Sequence, residues 1–202
     1  MLRINGVFQY GMHKHKGDDN HMSEIFLTSD THFMHSPSFL WEPRGFSSVE
    51  EMNEAIIEKW NSIVKPDDLI YHLGDTFLSD NEKGIECIRR LNGTIFLIFG
   101  NHETDNRKNL IFQECKNVTG GWYAYQIKSG KWNFYLSHYP TKVGNYDDTK
   151  YHKIWCLCGH THTQDRFLDV KDSCYHVEMD AHDCYPVNIE QIKEDIRQYN
   201  NT

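Results

Sequence analysis

Short apolar runs recur along the chain, and five of them stop at residues able to bind a divalent cation. Residues 25–29 read as a strand that delivers Asp30, Thr31 and His32 at its carboxyl end. Residues 69–73 form a second such run, ending at Gly74 and Asp75. Residues 94–99 form a third, almost continuously apolar, as expected where both faces of a sheet are covered; it ends at Gly100, Asn101, His102 and Glu103. Residues 122–127 and 132–136 alternate around Lys128, Ser129, Gly130 and Lys131, which predicts a hairpin whose second arm leads into Ser137, His138, Tyr139 and Pro140. Residues 154–158 end at Gly159, His160, Thr161 and His162. Gly159 permits a sharp turn there. If the backbone beyond it stays extended, His160 and His162 point to the same side, a chelating arrangement, because the side-chain period of a strand is two. Residues 174–179 predict a further strand.

Helical periodicity separates these runs. Ser48, Val49, Glu50 and Glu51 form a capping-box pattern ahead of Met52, Ile56, Trp60 and Ile63 at helical spacing, and Pro66, Asp67 and Asp68 end the segment. Residues 81–91 predict a second helix closed by Asn92 and Gly93, and residues 189–199 a closing amphipathic one. Residues 35–46, with Pro37, Pro43 and Gly45, read as a long loop over the strand ends. Trp122, Tyr123, Tyr125 and Trp132 alternate as core strands do. Strands alternating with helices, followed by a second half made mostly of strands, predict an α/β sandwich with mixed sheets. Ligands at the carboxyl ends of successive strands match the usual placement of sites in such sheets.

Composition narrows the picture. The 202 residues, 39% of them hydrophobic, suffice for one domain with a sizeable core, assigned to residues 22–202. Residues 1–21 lack periodicity and read as a leader or disordered extension, with His13 and His15 as solvated tail residues. No signal-peptide pattern and no membrane-length apolar run is present, so a cytoplasmic protein without a membrane partner is expected. The six cysteines form no Cys-x-x-Cys pair and read as reduced, buried thiols. A net charge of −8 argues against a broad basic surface for long nucleic acid. A phosphate substrate would have to meet positive charge at one place, and bound metal ions would supply it.

The strand ends together offer Asp30, His32, Asp75, Asn101, His102, His138, His160 and His162. Carboxylate, amide and imidazole without thiolate suit Mn, Fe, Zn or Ni better than Ca, which takes oxygen ligands only. One ion does not need so many donors; two ions sharing a carboxylate would use them.

These blocks, in this order, resemble those of the calcineurin-like metallophosphoesterases, and the resemblance covers nearly all of residues 25–189. It implies a four-layer α/β/β/α sandwich and a dinuclear site, with manganese favoured. By matching motif positions, Asp30, His32, Asp75 and His162 would hold the first metal, and Asp75, Asn101, His138 and His160 the second. Asp75 would bridge them together with a water or hydroxide that attacks phosphorus, and His102 would act as general acid toward the leaving group. Asn101 and His102 would contact the substrate. Separately from the resemblance, Arg44 and His35 in the long loop read either as groups that reach a substrate phosphate or as a solvated arginine and a loop histidine. The implied activity is hydrolysis of phosphodiesters or phosphomonoesters, on a small phosphate ester or nucleotide. A non-catalytic protein-interaction scaffold of the same fold is the alternative, and the sequence indicates no particular protein partner.

The second block departs from the protein-phosphatase branch of the family. Leu78 stands where that branch has an acid, and its arginine is missing, so the sequence looks closer to small bacterial or phage-type phosphoesterases. His72 reads as a core group or one supporting a ligand. His152, His176 and His182 have no motif support, and Asp180 and Asp183 read as part of a turn before the closing helix.

Overall fold

The computed structural model describes residues 23–144, 153–169, 171 and 173–201. Residues 1–21, with His13 and His15, fall outside that range, as does His152. In chain order the elements are β1 (Ile25–Thr28), α1 (Ser38–Trp41), α2 (Val49–Ile63), β2 (Leu69–His72), α3 (Asn81–Arg89), β3 (Thr94–Ile98), α4 (Asp105–Glu114), β4 (Val118–Trp122), β5 (Ala124–Ser129), β6 (Trp132–Ser137), β7 (Ile154–Cys158), β8 (Cys174–His176), β9 (Val187–Asn188) and α5 (Ile189–Asn200).

Two mixed sheets result. The first has the order β4-β3-β2-β1-β9, with β9 antiparallel to β1 and the remaining pairs parallel. The second has the order β5-β6-β7-β8, antiparallel only between β5 and β6. Period-two alternation sorts the core. Phe26, Ile70, Ile95 and Leu97 point to one side of the first sheet, where Met52, Ile56 and Trp60 of α2, Ile85 and Ile88 of α3 and Ile111 of α4 cover them. Leu27, Tyr71 and Ile98 point to the other, where they meet Phe134, Leu136, Trp155, Leu157 and Tyr175 of the second sheet and Ile189, Ile192 and Ile196 of α5. On the far side of the second sheet, Cys156, Cys158 and Cys174 pack with Tyr135 and Val143. All six cysteines are buried and free of disulfides. None of the described helices is long and apolar enough to cross a membrane.

The expected helix after Ser48 forms as the pattern predicts. The Ser48 hydroxyl accepts the Glu51 N–H at 3.1 Å, while the Glu51 carboxylate reaches back to the Ser47 N–H at 2.8 Å. Several expectations change, and α1 (Ser38–Trp41) forms inside the stretch 35–46 expected to be a loop. The segment 122–127 is not one strand: Trp122 ends β4 in the first sheet, and Ala124 starts β5 in the second. Trp122 and Tyr123, at that crossing, are 59% and 71% exposed and so are not core residues. α4 was not anticipated, because Ile111 is its only buried residue and its apolar positions make no stripe. The strand expected over 174–179 stops at His176, and residues Met179–His182 form a short 3-10 helix.

Parallel register places the useful ends together. Thr28 is level with His72, and His72 with Leu97, so the segments leaving β1, β2 and β3 emerge along one edge. Leu136 is likewise level with Leu157 in the second sheet. Trp60 anchors this arrangement: fully buried, it donates its indole N–H to the Asn92 carbonyl at 3.0 Å, tying α2 to the turn before β3. Trp60→Ala should lower the unfolding free energy by about 3–5 kcal/mol, read from denaturant titration; a loss below about 1 kcal/mol would contradict its placement in the core.

Candidate metal centre

The turns leaving the strands adopt a backbone that side-chain-bearing residues rarely take. Asp30, His32, Asp75, His160 and His162 all have positive φ, between 49° and 74°. Left-handed backbone costs an ordinary residue roughly 1–2 kcal/mol, so the surroundings must hold it. Here backbone bonds do so: Asp30 N–H to Gly74 O at 2.9 Å, His32 N–H to Asp75 O at 3.0 Å, and Phe33 N–H to Thr76 O at 2.9 Å. The buried Glu103 carboxylate closes the next turn against these, accepting the N–H groups of Asp75, Thr76 and Gly100 at 2.7–2.8 Å and the Thr76 hydroxyl at 2.9 Å.

Two clusters of donor atoms result, Asp30 with His32 and His162, and Asp75 with His138 and His160. The two histidines of the last motif therefore do not chelate side by side as an extended strand would have them. Their left-handed backbone sends one to each cluster. Asp75 joins the clusters: its Oδ2 lies 3.6 Å from His32 Nε2 and 3.5 Å from His138 Nε2, while its Oδ1 accepts the His102 N–H at 2.9 Å. Asn101 Oδ1 lies 2.8 Å from His138 Nε2, and His160 Nδ1 lies 3.1 Å from the same atom.

The donor set fits cations on its own terms. His138 Nδ1 is 2.8 Å from the Leu73 carbonyl, which can only accept, so that nitrogen carries the proton and Nε2 presents a lone pair. In that tautomer the lone pair faces the Asn101 carbonyl oxygen and an Asp75 oxygen. His162 Nδ1 is 3.0 Å from Asp180 Oδ2, which frees Nε2 in the same way. Asp30 Oδ1 and both ring nitrogens of His32 are buried without a hydrogen-bond partner. Buried unpaired acceptors are costly, and converging ones more so, unless a cation lies among them. Burial pushes the Asp75 carboxyl up to about 7, with Asp30 and Glu103 adding to the rise against His138. Burial acts on Asp30 in the same sense, but His32, His138 and His162 outweigh it and hold Asp30 well below the usual carboxylate range.

Two glycines make the approach possible. A Cβ on Gly159 would meet Ser29 Oγ at 2.0 Å and Asp30 Oδ2 at 2.2 Å; one on Gly100 would meet Asp75 Oδ1 at 2.3 Å. The need at Gly159 is thus close packing, not the sharp turn its sequence context suggests. That packing lets Asp30 Oδ2 accept the His160 N–H at 2.9 Å, across the two sheets.

All eight sequence-predicted residues come together, with His102 Nε2 3.8 Å from Asp75 Oδ2 and its side chain 37% exposed. His35 joins them, its ring 5.2 Å from that of His32, and burial pushes it down to about 4. Arg44 does not serve as expected. Its side chain is 1% exposed and is spent on the protein: both Asp180 oxygens, the carbonyls of Asp30 and Thr31, and Met52 Sδ. Five N–H groups meet five acceptors, and none remains for a phosphate. Asp180 was read as a turn residue; it also orients His162. The pairing of Arg44 with Asp180, 136 positions apart, left no local signal. Glu103 was visible within its motif, but nothing there revealed its four hydrogen bonds. His72 behaves as expected of a supporting group: Nδ1 accepts the Gly74 N–H at 3.2 Å, so Nε2 carries the proton toward Thr31 Oγ1 at 3.0 Å.

Comparison with known proteins agrees with the site. The sequence model of the calcineurin-like phosphoesterases matches residues 23–198. An uncharacterized protein of Methanocaldococcus jannaschii is 32% identical over 179 residues, covering 85% of this chain and 90% of that protein. The Gene 66 protein of Mycobacterium phage L5 is 27% identical over 169 residues, covering 70% of this chain and 79% of its own. Among solved structures, a protein of unknown function from Aquifex aeolicus superposes with a TM-score of 0.67 at 22% identity, over 86% of this chain and 99% of that one. The chain belongs to the calcineurin-like phosphoesterase family, and its grouped histidines and aspartates could hold a divalent metal.

Gly159→Ala should leave the circular dichroism spectrum unchanged while weakening divalent-metal binding by about tenfold or more, read by calorimetric titration; unaltered affinity would refute the close-packing role. A second outcome concerns acid. Burial pushes His72 down to about 4, below its ordinary value of 6.5, so its contribution to stability is complete above 6.5 and is lost as pH falls through 4. Unfolding free energy should decline over that window in the wild type and less in His72→Gln, measured by denaturant titration at successive pH values.

Proposed function

We propose that the protein hydrolyses phosphodiester or phosphomonoester bonds of small phosphate esters or nucleotides, using two divalent cations, with manganese favoured. The observation that carries this reading is the position of Asp75 Oδ2, 3.6 Å from His32 of one cluster and 3.5 Å from His138 of the other. Asp30, His32 and His162 would hold one cation, Asn101, His138 and His160 the other, and Asp75 both. The bound pair would supply charge to stabilise the phosphoryl group and acidify a water for attack near neutral pH.

The chain's own residues provide the rest. Asp180 and the Leu73 carbonyl fix the tautomers of His162 and His138, keeping their free nitrogens aimed inward. Glu103 and Arg44 hold the two turns that carry Asp75 and Asp30. His102 is not drawn into either cluster. Its backbone N–H is tied to Asp75 and its carbonyl accepts Arg107 Nη1 at 2.8 Å, which leaves the half-exposed ring free to protonate a leaving oxygen. Arg107 also packs over the Phe77 ring, 5.8 Å from its centroid, and so steadies this turn. A protein-binding scaffold without catalysis would have no use for orphaned lone pairs in a buried cluster, nor for a free histidine beside them. The net charge of −8 favours small substrates over long nucleic acid.

Activity on model diesters and monoesters should vanish after chelation and return with Mn²⁺. In the restored enzyme, His102→Asn should slow a poor alkoxide leaving group by about 10²- to 10⁴-fold and slow p-nitrophenolate far less. Equal losses on both would rule out the acid role, and absence of hydrolysis with every metal and ester tried would overturn the enzymatic reading itself.

A further inference from the structure

A second group of metal-binding atoms lies outside the histidine centre. Cys156 and Cys158 are two apart on β7 and share a face, and Cys174 stands in register beside Cys156 on β8. One sulfur from each lies within 4.8 Å of the other two. The three are at most 1% exposed and are covered by Tyr135 and Val143. Metal–sulfur bonds of about 2.3 Å in a planar three-coordinate site set sulfurs about 4 Å apart, a spacing that small side-chain rotations would reach here.

The surroundings are sparse. Ser137 Oγ is 3.4 Å from Cys156 Sγ, Cys158 Sγ is 3.7 Å from the Tyr175 carbonyl, and Cys174 Sγ is 3.7 Å from the Thr141 carbonyl. Among the described residues the group holds thiols alone, without imidazole or carboxylate. The neighbouring thiols of Cys158 and Cys174 stabilise a thiolate at Cys156 and are themselves harder to ionise for that reason. A disulfide between Cys156 and Cys158 is disfavoured, because residues two apart on a strand have Cα atoms about 6.6 Å apart, at the limit of disulfide geometry.

We propose that Cys156, Cys158 and Cys174 form a three-thiolate site for a soft monovalent cation, Cu(I), separate from the phosphoesterase centre. Thiolate donors select Cu(I) or zinc, and a structural zinc site takes four donors where this pocket offers three. Binding would release the protons these thiols carry to solvent and place one cation among the three sulfurs. It would also join β7 to β8 just before the turn that carries His160 and His162.

The test is an anaerobic titration of the full chain with Cu(I) against a chromophoric Cu(I) chelator. The wild type should retain one equivalent. An Asp30→Ala/His162→Ala variant, disabled at the other centre, should retain it equally, as should Cys87→Ser/Cys115→Ser. Cys158→Ser and Cys174→Ser should lose it. Copper X-ray absorption on the wild-type chain needs no folded variant and should show sulfur neighbours alone. Nitrogen neighbours, retention by the Cys158 and Cys174 variants, uptake of Zn²⁺ but not Cu(I), or a disulfide among the three found by mass spectrometry would each overturn the assignment.

Discussion

Among the hydrogen bonds that join the two halves of the site, one depends on a missing side chain: the His160 N–H of the second sheet donates to the Asp30 carboxylate of the first at 2.9 Å. It forms because Gly159 has no side chain to separate them. Around it, five residues keep left-handed backbone that in isolation would cost roughly 1–2 kcal/mol each. The paired registers of the two sheets and the carboxylates of Glu103 and Asp180 over-determine these turns. The same turns would relax if either sheet were displaced. Strain of this kind persists where the fold supports it, and here every strained residue among these five presents a donor atom to the clusters.

Electrostatics follow from the same geometry. Asp75, Asp30 and Glu103 bring carboxylates close together in a buried place, and burial pushes Asp75 up to about 7. Histidines with fixed tautomers surround them, their lone pairs turned inward. Mutual repulsion among acceptors is the state that a cation relieves, so the centre is prepared for charge that the protein does not itself carry. That is how a chain of net charge −8 can attract a phosphate.

Arg44 shows how the supporting layer differs from the reacting one. A loop arginine near a metal site invites assignment to a phosphate. Its side chain is instead buried in a bidentate pair with Asp180, and it braces the carbonyls of Asp30 and Thr31. Arg107 plays a comparable part for His102 through the backbone. With Arg44 spent on the protein, the proposed phosphate contacts would fall to the metal site and to His102, Asn101 and the nearby His35.

The eight residues that gather at the site were legible in the sequence because each sits at the end of an apolar run, where strand period and local motif fix its position without knowledge of neighbours. The mixed α/β class was legible for the same reason, since alternation and helical spacing are local properties. What only the tertiary structure decided are the relations between distant segments: the split of His160 and His162 between two clusters, the capture of Arg44 by Asp180, the crossing from β4 to β5 at Tyr123, and the meeting of Cys174 with Cys156. None leaves a periodic trace, because hydrogen bonds and packing across sheets depend on which strands become neighbours. That choice belongs to the whole chain, through burial and register, and not to any window of it.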